Sequence, residues 1–195
     1  IELAPPALVD VAADAGFAQV SLRLAPASDT ESVHSLLGGA PMMRETLARL
    51  RDRGVQVHDV ELVRLSGDTP LAPLEPLIAA AVGARHLLVA GDDADEQRLA
   101  ERLHALAELG ARYGVGMALE FMPWRGVRDL PSARRVLHAA GTGGLIVDAI
   151  HLDRSGGTAA DLAGLSPAEW AYFQICDAPA TRPATEAELL FQARQ

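Results

Sequence analysis

Apolar residues recur along the chain in two alternating modes. Short unbroken runs mark strands buried on both faces, and longer stretches with apolar positions three and four apart mark amphipathic helices. Strands are predicted over residues 18–24, 55–65, 86–90, 116–122, 144–149 and 171–175. Helices are predicted over residues 6–15, 42–53, 74–82, 96–113, 131–140, 159–165 and 186–194. Gly54 is a stop signal for the second helix, and Pro131 opens the fifth. Asp92 and Asp93 stand where an N-cap for 96–113 belongs. Strands that alternate with helices in units of about 25 to 35 residues imply a parallel sheet covered on both faces.

Six such strands suit an open doubly wound sheet or a (β/α)₈ barrel. No Gly-x-Gly-x-x-Gly follows any strand, which weakens the dinucleotide-binding arrangement. Polar candidates follow nearly every strand instead of gathering at one switch point, which favours the barrel. The chain opens on what reads as the loop after a first strand and stops before an eighth strand is due. The expectation is a single TIM-barrel domain over residues 1–195 that lacks its first and last strands.

Composition narrows the chemistry. The chain is 49% hydrophobic and 22% charged, as expected of a globular protein. It has no apolar run near the roughly 18 to 20 residues of a membrane span and no signal-peptide pattern at its start. A net charge of -9 argues against nucleic acid as a partner. Every basic residue is Arg, so lysine-based Schiff-base or P-loop chemistry is excluded and anions must be held by Arg or backbone N–H groups. The lone Cys176 permits no internal disulfide and fits a cytoplasmic setting.

Three of the strand-like runs end in a side chain able to hold a metal: Glu120, Asp148 and Gln174. They are separated by 28 and 26 positions. Parallel neighbouring strands bring their C-terminal ends to one edge, so the three oxygens converge on a divalent cation. Each carboxylate alone has a plainer reading as a helix N-cap or a partner for Arg.

The segments Met117-Ala-Leu-Glu-Phe-Met-Pro-Trp124, Val147-Asp-Ala-Ile-His-Leu-Asp-Arg-Ser-Gly-Gly157 and Phe173-Gln-Ile-Cys-Asp-Ala-Pro179 resemble the sugar phosphate isomerase/epimerase group of the xylose-isomerase-like TIM barrels. Val20-Ser-Leu-Arg-Leu24, Asp59-Val-Glu-Leu-Val-Arg64 and Leu88-Val-Ala-Gly-Asp-Asp93 support it. The resemblance runs over nearly the whole chain. It implies a divalent metal, Mn, Mg, Co or Zn, held by Glu120, Asp148 and Gln174. A fourth ligand, a glutamate, would fall beyond Gln195.

The same resemblance marks Glu120 and His151 as catalytic. His151, three residues past Asp148, is expected outside the metal's immediate ligands, on substrate. Arg23, Glu61, Arg64, Trp124 and Arg154 are the substrate-binding candidates. Glu61 and Arg64 are three apart on one strand and point to opposite faces, so Glu61 is preferred as the pocket residue. Asp177 reads as a turn residue, Met42 and Met43 as packing. His34, His86, His104 and His138 receive no role.

The expected reaction removes a proton beside a metal-bound carbonyl of a sugar, sugar phosphate or related hydroxy-ketone, giving isomerisation or epimerisation. A dehydratase of the inosose or 3-dehydroshikimate type is the alternative, and Gln instead of His at position 174 leans that way. A barrel that binds sugar without turnover is the third. A metal-dependent abasic-site nuclease of the same fold needs more His ligands and a basic groove. A sugar-like small molecule is the expected partner, with no membrane and with homo-oligomerisation allowed.

Overall fold

A computed structural model describes residues 3–26, 33–34, 36, 40–81 and 83–192. In chain order these form α1 (Pro5–Asp14), β1 (Gln19–Arg23), α2 (Pro41–Arg53), β2 (Gln56–Leu65), α3 (Glu75–Ala79) and β3 (His86–Gly91). There follow α4 (Glu96–Ala111), β4 (Gly116–Glu120), α5 (Leu130–Ala140), β5 (Gly144–Asp148), α6 (Ala149–Arg154), β6 (Trp170–Gln174) and α7 (Glu186–Gln192). Short 3₁₀ turns occupy Ala72–Leu74, Ala159–Gly164 and Pro167–Glu169.

The six strands form one parallel sheet in the order β1-β2-β3-β4-β5-β6. That order never reverses, so the sheet has no switch point and is not doubly wound. A strictly sequential order is what a right-handed β-α-β connection gives when each unit is laid beside the last, as in a (β/α)₈ barrel. Six strands stand among the described residues, against eight in a complete barrel.

Two compact units divide the chain. The first comprises residues 1–64, 69–89 and 105–117. In it α1 packs on α2, and Arg49 and Arg53 of α2 reach Asp10 of α1 at 2.9 and 3.6 Å. Gly54 caps α2 at a φ of 67°, a left-handed conformation that a side chain would strain. The second unit comprises residues 65–68, 90–104 and 118–195. In it the end of β4 from Ala118 and the strand β5 are almost wholly buried, with Ala118, Leu119, Leu145, Ile146 and Val147 at 0% exposure. Each such aliphatic side chain stabilises the fold by roughly 1.5–3 kcal/mol.

Four local expectations are corrected. The N-cap of α4 is Asp95, whose Oδ1 accepts from the backbone of Gln97 and Arg98, both at 3.1 Å. Residues 159–165 are not an α-helix. Ala159–Gly164 is a 3₁₀ turn that buries no residue, so it has no apolar face to stabilise a longer helix. Residues 150–154, outside every predicted element, form α6 together with Ala149, the last residue of the predicted strand. The predicted 74–82 helix ends early, at Ala79 with Ala80 as its C-cap, and the last residues of the predicted 186–194 helix fall outside the described residues. No described helix is long and apolar enough to cross a membrane.

Candidate metal centre

Glu120 closes β4 and Asp148 closes β5. Each follows a buried apolar run, which fixes the strand and carries the carboxylate to its C-terminal end. Asp148 is also the N-cap of α6: its Oδ1 accepts from the backbone N–H of Ile150 at 2.7 Å and of His151 at 3.2 Å. This starts a helix at once, and its first turn swings His151 back towards β4. Glu120, Asp148 and His151 each then offer a ligand atom within 4.8 Å of the others. Gln174 stands in register with Asp148 across the β5–β6 pair.

The cluster is dry at its base. Glu120 is 3% exposed and His151 is 7% exposed. His151 Nδ1 stands 3.1 Å from Glu120 Oε1, but its direction is not that of a hydrogen bond, and this buried nitrogen is left without one among the described residues. Burial acts to lower the His151 pKa. The Glu120 carboxylate, then Asp148 and the Phe121 backbone, outweigh it and hold the group above its ordinary value.

Trp124 meets the His151 ring edge-to-face, with centroids 5.0 Å apart. The loop that carries Trp124 is pinned: Val127 donates to Gly91 O at 3.0 Å, and Arg125 donates to Asp92 at 3.1 Å. A Cβ on Gly126 would meet the Asp93 backbone at 2.4 Å, so only glycine lets the loop lie this close.

Cys176, given no site role by the sequence, donates its thiol to Asp148, with Sγ 3.2 Å from Oδ1 and 3.5 Å from Oδ2. Burial and the Asp148 carboxylate raise its pKa, so the thiol is protonated here. Arg154 is engaged elsewhere: it pairs with Asp153 at 2.5 Å and donates to Pro179 O at 2.7 Å, tying the segment after β6 to α6.

The remaining candidates lie in the first unit. Arg23 at the end of β1 pairs with Glu61 of β2 at 2.7 Å. Both line a cavity of about 410 Å³ with Leu3, Leu8, Leu22 and His34. Arg64 is exposed and is not among the residues that line that cavity. A larger cavity of about 610 Å³ lies in the second unit, but its walls contain none of the three clustered residues. Its Arg134 and Arg135 are bound to Glu169 and Glu96, so it offers little free charge.

Two carboxylates and an imidazole whose buried Nδ1 has no hydrogen bond make a donor set suited to a divalent cation. The family model of the xylose isomerase-like TIM barrel matches residues 9–188. The chain belongs to that family. Among solved structures, a xylose isomerase-like TIM barrel/4-hydroxyphenylpyruvate dioxygenase fusion protein matches all of this chain at 19% identity and TM-score 0.79, yet the chain spans only 32% of it. The IolI protein with a bound zinc atom matches at 14% identity and TM-score 0.72, over 89% of this chain and 68% of that one. A D-allulose 3-epimerase from Methylomonas sp. matches at 14% identity and TM-score 0.68, over 97% of this chain and 74% of that one. At such identities these barrels share a fold. No curated protein sequence matches the chain.

Proposed function

We propose that this xylose isomerase-like barrel takes part in divalent-cation-dependent isomerisation or epimerisation of a sugar, sugar phosphate or related hydroxy-ketone. The observation that carries this reading is the buried Glu120–Asp148–His151 cluster, whose imidazole nitrogen has no hydrogen bond while facing two carboxylates. When bound, the cation supplies Lewis acidity towards a carbonyl and its adjacent hydroxyl. Asp148 holds its place through the two backbone N–H groups on Oδ1, which leaves Oδ2 for the cation. Gln174 adds a neutral amide from the next strand.

Glu120 is the base. Its burial excludes water that would otherwise solvate the carboxylate, and it accepts the proton from the carbon beside the carbonyl. Return of that proton to the neighbouring carbon gives isomerisation, and return on the opposite face gives epimerisation. His151 Nδ1 would complete the cation's donor set beside Glu120 and Asp148, with Trp124 against its ring closing the side of the site. The acidic chain, at -9, supports a small sugar-like substrate over nucleic acid.

Gln174 favours a second reading. A site with a neutral amide in place of an imidazole at position 174 also suits a dehydratase, in which loss of a β-hydroxyl follows the same proton removal. The test is solvent deuterium incorporation beside the carbonyl, measured over a panel of ketoses and cyclic hydroxy-ketones. Glu120→Gln is expected to lower exchange by about 10²–10⁴-fold. Exchange without loss of water supports isomerisation, and growth of a conjugated carbonyl absorbance supports the dehydratase. Undiminished exchange in Glu120→Gln would refute Glu120 as the base.

A further inference from the structure

Cys176 is the only cysteine of the chain, and it lies two residues past Gln174, beside Asp148. The two oxygens of that carboxylate differ. Oδ1 is held by the backbone of α6, whereas Oδ2 is the oxygen left for a cation. The thiol sulfur is 3.5 Å from Oδ2. A tetrahedral zinc with bonds of about 2.3 Å to sulfur and about 2.0–2.2 Å to oxygen separates those two donors by roughly 3.5 Å. The sulfur already stands at ligand-to-ligand spacing from Asp148. A second feature points to the same place: His151, 7% exposed, turns an Nδ1 without a hydrogen bond into this cluster.

We propose that Cys176 is a sulfur ligand for thiophilic divalent cations at this centre, so that zinc and cobalt are held by Asp148, Glu120, His151 and Cys176 with a preference that oxygen and nitrogen donors alone would not give. The inference rests on the cation site proposed above. The thiol meets the cluster at Asp148, with Sγ beside the oxygen left for a cation. The S–H bond breaks, a sulfur–metal bond forms, and the proton passes to solvent. Hard cations such as magnesium and manganese leave the thiol protonated and bonded to Asp148.

Cobalt loading of the purified protein tests this without any substrate. The wild type is expected to show visible d–d bands together with a near-ultraviolet sulfur-to-cobalt charge-transfer band. Bound cobalt or zinc is also expected to slow the reaction of Cys176 with a thiol reagent, while manganese does not. Cys176→Ser is expected to keep the d–d bands and lose the charge-transfer band. Its zinc affinity should fall by at least about tenfold, the scale of a change at or near a metal's ligands, with manganese affinity unchanged. Wild-type d–d bands without charge transfer would overturn the sulfur ligand and leave the oxygen–nitrogen cation site standing. Failure of the wild type to take up cobalt at all would overturn both.

Discussion

Glu61 and Glu120 both lie on buried-strand frameworks, yet they are neutralised in different ways. Glu61 meets the guanidinium of Arg23 at 2.7 Å, and both side chains are 20% exposed. In that pair a full positive charge already stands against the carboxylate. Glu120 is 3% exposed, shares its surroundings with Asp148, and faces an imidazole in poor hydrogen-bonding geometry. Burying two carboxylates together is costly unless positive charge accompanies them. In the first arrangement a guanidinium supplies the opposite charge. The second would become balanced if a cation joined it, and that difference is what the proposed cation site rests on.

Asp148→Asn should break this contrast most sharply. Asparagine is an equally good N-cap, so α6 and overall stability should change by less than about 1 kcal/mol. Cation affinity should fall more than about 100-fold, beyond the loss caused by removing an outer partner. Isothermal titration with manganese, alongside thermal unfolding, separates the two effects. An equal loss of folding would recast Asp148 as a purely structural cap.

Asp93 supplies a second kind of balance. It accepts from Gly67 N at 2.7 Å, from Asp95 N at 2.9 Å and from two nitrogens of Arg98 at 2.8 and 2.9 Å. The Arg98 bonds, then those from Asp95 and Gly67, hold its pKa well below the ordinary 3.8. A depressed carboxylate pKa stabilises the fold above the unfolded value and loses that effect as pH falls towards the folded one. The contribution is therefore full at neutral pH and fades below about pH 4. Asp93→Ala should cost about 3 kcal/mol at pH 7, because buried donors lose their acceptor, and should cost much less at pH 2–3. Denaturant titrations at the two pH values measure it, and a pH-independent difference would contradict this account.

Arg23→Gln is the smallest effect. Loss of a partly exposed pair should cost about 1 kcal/mol, with cation affinity within about twofold of the wild type. A large fall in cation affinity would show that Glu61 and Glu120 are not the separate cases described here.

Much of this was legible from residue order. The runs before Glu120 and Asp148 read as buried strands because they are unbroken and apolar, and β4 and β5 bear that out. Helix α6 was not legible. It has six residues, too few for a periodicity, and its cap is also the last residue of β5. Without it the residue order puts His151 outside the metal's immediate ligands, whereas the helix's first turn folds it towards Glu120. The Cys176–Asp148 contact joins residues 28 apart. It depends on the pairing of β5 with β6, whose register shifts between Leu145 and Ile146, and no local pattern encodes such a shift. The Asp93 network escaped for a related reason: its donors Gly67 and Arg98 come from two separate segments, and an acidic pair before a helix reads first as a cap.

The central claim is that the Glu120–Asp148–His151 cluster is a cation site. Equilibrium dialysis of manganese against the wild type and Glu120→Ala, in parallel, tests it most directly. The account predicts one manganese per wild-type chain and close to none in the variant while both remain folded. Equal binding by the two proteins, or no binding by the wild type, would contradict it.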